Sequence, residues 1–344
     1  MRVLFVTGPA ILARGSGGGL YIQMMQTIEE LEKIGIEAVL YNPWKSELEE
    51  CDICHIMGSD PSVSQFAVKA RSLGKPVVVS TVWLDSGHPE YMWKFLMWAS
   101  NHVKGASRVL RQKKLLFDNA DLLLALNRHE KKALGQVFRQ NPDKIRIIPN
   151  GRPAHFEKIS DSEQIFRKKF GIEGYILCVA VISDRKNQRI LIEAVNELPY
   201  KLVIIGKSPV GMEKYEVQCK AIADPDKVLF CGEINNEDPL LVSAYKSAKV
   251  FALMSRFEVQ PLVFVEAAMM GCQILTSNRV CAHPGFERYT TRVNHTNKKD
   301  VSDALISLME NDIKKGDIID CSHRNIITWQ QAAQDIYKCY ENLM

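Results

Sequence analysis

Pro149-Asn150-Gly151-Arg152-Pro153 divides this chain in two. Two prolines, a glycine and an asparagine within five residues make a turn, since neither a helix interior nor a central strand tolerates them. Before it, short apolar runs alternate with amphipathic stretches. Val3–Val6, Ala38–Tyr41, Ile53–Met57, Val77–Ser80, Leu122–Ala125 and Ile145–Ile148 read as strands. Leu20–Ile34 reads as a helix with Ile22, Met25, Ile28 and Leu31 on one stripe and Gly35 closing it, and a second helix is expected near Ser62–Leu73. After the turn the pattern starts again. Strands are expected at Tyr175–Val181, Leu202–Ile205, Val228–Phe230, Val250–Leu253 and Gln273–Thr276, with helices over Asn187–Leu198, Asp238–Ser247 and the stretch holding Glu266. Strands this continuously apolar, joined by helical crossovers, bury both faces and form parallel sheets. The expected fold class is therefore α/β, two doubly wound parallel sheets facing across a cleft. Residues 1–150 form the first domain, 151–325 the second, and 326–344 a terminal helix crossing back onto the first. Ligands on such sheets bind outside the carboxyl ends of the strands.

The bulk numbers agree with two ordinary globular domains: 344 residues, 46% hydrophobic and 24% charged. A net charge of +4 is too small to indicate a nucleic-acid partner, and no run of eighteen apolar residues suggests a membrane span. Met1–Val6 is interrupted by Gly8 and Pro9 and reads as a first strand, not a signal peptide. Nine cysteines without a disulfide framework point to a reducing cytoplasm. Cys51 and Cys54 form a lone C-x-x-C on a strand, which favours burial over zinc, and Asp224-Pro225-Asp226 reads as a turn. No metal site is expected.

The segment that carries chemistry runs from Ser255-Arg256-Phe257-Glu258 through Gln260, Pro261, Leu262 and Val263 to Glu266 and Gly271. Pro261 suits a first helical position, and the free N–H groups of that turn suit a phosphate. Glu258 and Glu266, eight positions apart, suit sugar hydroxyls beside it. Gly15, Gly17, Gly18 and Gly19 precede a helix start, where backbone N–H groups reach a diphosphate that a Cβ would obstruct. The dinucleotide fingerprint G-x-G-x-x-G is not met, because Leu20 follows Gly19. Lys186 supplies a point charge for a diphosphate, with Arg185 beside it.

Taken in order, these motifs resemble the family-4 retaining glycosyltransferases of the GT-B fold, built from two Rossmann-like domains. The likeness rests on Gly15–Gly19, Asp52-Ile53-Cys54-His55, Pro149-Asn150-Gly151, Ser183-Asp184-Arg185-Lys186-Asn187, Lys201–Gly206, Glu258 through Glu266, and Thr328-Trp329. The resemblance implies an acceptor-binding first domain and a donor-binding second domain. It makes Glu266 a ribose contact, Glu258 a contact to the donor sugar and Lys186 the cation on the diphosphate, with Arg185, Asn187, Gln260, Pro261, Leu262 and Val263 lining the donor site. It implies no cofactor, a metal-independent reaction that retains the anomeric configuration, a UDP- or GDP-sugar donor, and a glycan or lipid-linked acceptor of a surface polysaccharide or glycolipid.

Two positions depart from the family. Ala180-Val181 stands where Gly-Arg is common, and Thr81-Val82-Trp83 where a histidine is common. Trp83 and the later His88 are therefore also candidate site residues. A homologue that binds a nucleotide-sugar or a partner without transfer is the alternative reading. Residues 91–117 hold Trp93, Phe95, Trp98 and six Lys or Arg side chains with no acid, a composition suited to an anionic membrane surface or to packing inward.

Overall fold

The computed structural model describes residues 1–344 except 10, 12–17, 46, 84–89, 104–106, 155, 157–162 and 282. Gly15, Gly17 and His88 lie outside the described residues. The chain divides into two compact units, Met1–Gly151 with Ile327–Met344, and Arg152–Ile326.

The first unit carries β1 (Arg2–Thr7), β2 (Glu37–Leu40), β3 (Ile53–Met57), β4 (Val77–Ser80), β5 (Leu122–Ala125) and β6 (Ile145–Ile147), in sheet order β2-β1-β3-β4-β5-β6. Every pairing is parallel. The described helices are α1 (Gly19–Lys33), α2 (Glu47–Glu50), α3 (Ser64–Ser72), α4 (Glu90–His102), α5 (Arg108–Asp118) and α6 (Arg128–Phe138). β3, β4 and β5 are buried along their whole length, as strands covered on both faces must be.

The terminal helix, Trp329–Glu341, belongs to the first unit and packs on α1. Its N-terminus is fixed by a capping box in which Thr328 and Gln331 exchange hydrogen bonds. Near its end Tyr340 Oη lies 2.5 Å from Nδ1 of His55, whose Nε2 is 2.9 Å from Ser80 Oγ. His55 is fully buried, which pulls its pKa down to about 3, so the ring stays neutral. The histidine of the Asp52–His55 motif thus ties the terminal helix to the sheet.

The second unit carries β7 (Tyr175–Val179), β8 (Leu202–Ile205), β9 (Val228–Gly232), β10 (Ala248–Leu253), β11 (Gln273–Ser277) and β12 (Thr290–Val293), in the order β12-β11-β10-β7-β8-β9, again all parallel. In chain order this is the 3-2-1-4-5-6 arrangement of a doubly wound sheet, and the order reverses between β7 and β10. Its helices, continuing the numbering in chain order, are α7 (Glu163–Phe170), α8 (Gln188–Val195), α9 (Lys214–Ile222), α10 (Pro239–Ser247), α11 (Leu262–Met269), α12 (Lys298–Glu310) and α13 (Lys315–Asn325), which makes the terminal helix α14. β12 is half-buried throughout, so its TTRV sequence lacks the apolar signature and was not among the expected strands.

All nine cysteines are free, and Cys51 and Cys54 are fully buried. Among the described residues no helix is long and apolar enough to cross a membrane.

Candidate functional site

In the second unit, strand order makes a crevice at the carboxyl ends of β7 and β10, and the chain places its charges there. After β7 the backbone passes close to β8: a Cβ on Gly206 (φ +141°) would collide with the carbonyl oxygen of Ala180, so this crossing demands glycine. Gln188 then braces the loop, donating from Nε2 to Val181 O (2.9 Å) and accepting from Ser183 N (3.3 Å). Asn187 turns the chain into α8 with a left-handed φ of +55° and donates to His295 O (2.8 Å). These bonds aim Arg185 and Lys186 across the crevice.

Both cations meet Glu258 from the loop after β10. Glu258 Oε1 accepts from Lys186 Nζ at 2.5 Å and from Arg185 Nη1 at 2.6 Å. Arg185 also donates to Phe257 O (3.2 Å) and lies over the Phe257 ring, while Arg256 N donates to Arg185 O (2.9 Å). Burial is the largest influence on both partners of the inner pair. It raises Glu258, but Lys186 and Arg185 outweigh it and hold the carboxyl below its ordinary range. Burial, helped by Arg185, leaves Lys186 below its ordinary value despite Glu258. Two basic side chains thus share one carboxylate oxygen. Replacing that carboxylate by a more highly charged anion would suit the cations better.

The helix beyond starts one residue later than the sequence suggests. Pro261 has an extended ψ of 127° and is the N-cap of α11, which begins at Leu262. A proline there offers no side-chain acceptor, so the N-cap residue itself does not cap the first turn. Gln260 is buried, and Leu262 and Val263 are half-buried at this turn. Glu266, on the second turn, is 4% exposed and accepts from Tyr245 Oη at 2.7 Å. Burial pushes its pKa up to about 7, partly countered by Tyr245. Glu266 therefore changes charge near neutrality, which Glu258 does not.

In the first unit the corresponding edge is organised by a residue the sequence reading passed over. Glu130, in the first turn of α6, is 2% exposed. Its Oε1 accepts from Thr81 Oγ1 and Trp83 N, both at 2.6 Å, and its Oε2 from Leu126 N at 2.7 Å. Burial raises its pKa, and these bonds oppose the rise. Between the two pinned residues, Val82 has φ +36°, a strained conformation for a β-branched side chain that costs on the order of 1–3 kcal/mol. The signal was present: Asn127-x-x-Glu130 ahead of an apolar run is a capping pattern, and Asn127 Oδ1 does accept from Glu130 N at 2.8 Å. Trp83, read as a site candidate, is 3% exposed and packs edge-on against Trp93 and Phe138. Gly18 caps α1 and Gly19 opens it, and a Cβ on either would meet nothing within 4 Å.

The aromatic helix α4 has two faces. Trp93, Leu96 and Met97 pack on the core, whereas Tyr91, Phe95 and Trp98 are 71%, 61% and 53% exposed, with Phe95 stacked on Trp98. Arg108 and Arg111 on the neighbouring α5 are exposed. Lys113 is half-buried with its pKa lowered by desolvation, and Lys114 pairs with Asp118.

Residues 161–322 match the sequence family described as glycosyl transferases, group 1. An uncharacterised glycosyltransferase of Methanocaldococcus jannaschii is 30% identical over 167 residues, 45% of this chain and 42% of that protein. A Campylobacter jejuni enzyme named as N-acetylgalactosamine-N,N'-diacetylbacillosaminyl-diphospho-undecaprenol 4-alpha-N-acetylgalactosaminyltransferase is 25% identical over 343 residues, 89% of this chain and 90% of the enzyme. The chain spans about half or less of other curated relatives, 54% and 37% in two of them. Among solved structures, Anabaena HepE in complex with UDP superposes with a TM-score of 0.73 at 17% identity, covering 99% of this chain and all of that one. The fold is GT-B, two Rossmann-like α/β units.

Proposed function

We propose, from the premise that residues 161–322 are a group 1 glycosyl transferase domain, that this chain transfers a sugar from a nucleoside-diphosphate sugar to a glycan or lipid-linked acceptor. The observation that carries the reading is the hold of Lys186 and Arg185 on one oxygen of Glu258, beside the proline-led start of α11. As the bond between sugar and diphosphate breaks, negative charge grows on the leaving diphosphate. Lys186, Arg185 and the first-turn N–H groups of α11 stabilise it. Two fixed cations supply the charge that a divalent ion supplies elsewhere, which favours a metal-independent reaction. Glu258, displaced from the cations by the diphosphate, turns to the donor sugar, and Glu266 takes the ribose. The acceptor hydroxyl attacks the anomeric carbon from the face the diphosphate leaves and passes its proton to the departing diphosphate oxygen, so configuration is retained. UDP is the first donor base to test, because the Anabaena protein named above was solved with it.

A thermal-shift panel with uridine, guanosine, thymidine and adenosine diphosphates tests the donor site. A ligand at about 100 times its dissociation constant stabilises by about 2.7 kcal/mol. If none of the four shifts the melting temperature, the reading fails. Donor hydrolysis by wild type and Glu258→Ala then separates the enzyme from a homologue that only binds. That second reading draws on Val181, 42% exposed at the position where the resemblance leads one to expect arginine. Binding without turnover in wild type would select it.

The acceptor side of the proposal is membrane-facing. The exposed Tyr91, Phe95 and Trp98 beside Arg108 and Arg111 suit the interface of an anionic bilayer. Sedimentation with phosphatidylglycerol vesicles should carry the wild type down and leave Phe95→Ala/Trp98→Ala in solution. Equal sedimentation of the two would remove the membrane from the proposal.

A further inference from the structure

The sheet of the first unit ends, at its β2 edge, in a cavity of about 380 Å³ that none of the site residues above touches. Beyond β2 the chain runs Tyr41-Asn42-Pro43-Trp44, and Trp44 is 92% exposed. A tryptophan left this far in water is the reverse of what folding favours for so large an apolar surface. The turn that presents it is nevertheless held. Trp44 N donates to Asn42 Oδ1 at 3.0 Å, and Asn42 N donates to the buried Glu47 Oε2 at 2.9 Å. Tyr41 and Phe66 meet edge to face at 4.7 Å in the cavity wall. Around these rings stand Lys45, Glu49, Gln65 and Lys69, all exposed.

We infer that this cavity is a subsite for a neutral sugar of the acceptor glycan, stacked on Trp44. Apolar rings wrapped in hydrogen-bonding groups of both charge signs suit a ligand that is apolar on its faces, hydroxylated at its rim and uncharged. A pyranose has this character: its axial C–H bonds carry partial positive charge toward the negative face of an indole, and its equatorial hydroxyls reach the rim. Lys45 and Lys69 stand with Glu49 on the rim, so it carries both signs, and a purely apolar partner would leave it desolvated. The volume is within the range of small-ligand sites. The cavity also opens at the carboxyl end of β2, the edge on which doubly wound sheets bind ligands. The inference rests on the glycosyltransferase reading for the identity of its ligand, and on the cavity alone for its chemistry.

The test uses the full chain without nucleotide, so its failure is separable from failure of the donor panel. Wild type, Trp44→Ala and Trp44→Phe are titrated calorimetrically with maltotriose, mannotriose and triacetylchitotriose. Wild type should bind at least one saturably. Trp44→Ala should weaken that binding by about tenfold or more, and Trp44→Phe should restore most of it. Melting temperatures of all three proteins should agree. Absence of saturable binding to all three sugars overturns the inference. So does equal binding by wild type and Trp44→Ala, or a Trp44-dependent association with lipid vesicles in place of sugars.

Discussion

Glu130 in the first unit is buried and Glu258 in the second half-buried, both at the carboxyl edge of a doubly wound sheet, and they are held in opposite ways. Glu130 is surrounded by neutral donors, one hydroxyl and two backbone N–H groups. Glu258 is gripped by two cations. The first arrangement satisfies backbone groups that have no other partner, so it braces a strained loop. The second gathers positive charge that a more strongly anionic group than the glutamate could use. The partner set thus separates a structural carboxylate from one at a ligand site, and the pKa directions follow: Glu130 is raised and Glu258 lowered.

The hardest test of that contrast is truncation. Glu130→Ala leaves the backbone N–H groups of Trp83 and Leu126 without their acceptor and should cost about 3 kcal/mol, lowering the melting temperature by roughly 6–10 °C. Excess nucleoside diphosphate should not recover that loss. Glu258→Ala should lose less and regain it when the diphosphate is added, because the ligand takes the carboxylate's place. Recovery of both variants, or of neither, would erase the distinction.

Glu266 provides a third case. Its folded pKa of about 7 lies above the ordinary value of 4.5. The contribution is fully present below pH 4.5 and is lost as the pH rises through 7, a gap of about 3 kcal/mol. Glu266→Gln keeps an acceptor for Tyr245 without the charge. Its urea midpoint should therefore overtake that of wild type between pH 5 and pH 8, whereas parallel curves would show that Glu266 does not titrate there.

A smaller effect is expected on affinity. Lys186→Ala should weaken nucleoside diphosphate binding by about 10- to 100-fold by calorimetry, as loss of one charge-assisted contact does. An unchanged constant would leave Glu258 as the only purpose of that lysine. The smallest effect concerns the brace itself. Val82→Asn places a residue tolerant of positive φ where valine is strained, and should raise the melting temperature by about 2 °C. A decrease would mean that the Val82 side chain contributes more than its backbone conformation costs.

Much of the fold was legible because strand and helix periodicities are local. The continuous apolar runs of β3, β4, β5, β8 and β10 give themselves away in four to six residues. β12 was missed because its residues are only half-buried, and α2 because its four residues, ELEE, carry no apolar stripe. Of the candidate site, Arg185, Lys186 and Glu258 were read individually, but not their meeting. Glu130 was visible only as part of a capping pattern, since two of its donors lie 47 and 49 residues away. Tyr245 gave no signal at all, because nothing near it in sequence hints at Glu266.

The amino-acid sequence by itself determined most of the strands and helices, since each depends on burial patterns a few residues long. Only the tertiary structure decided which carboxylate meets which charge. Lys186 and Glu258 are 72 residues apart and meet because the sheet places β7 beside β10. Strand order is a property of the whole packed unit, and no local pattern encodes it.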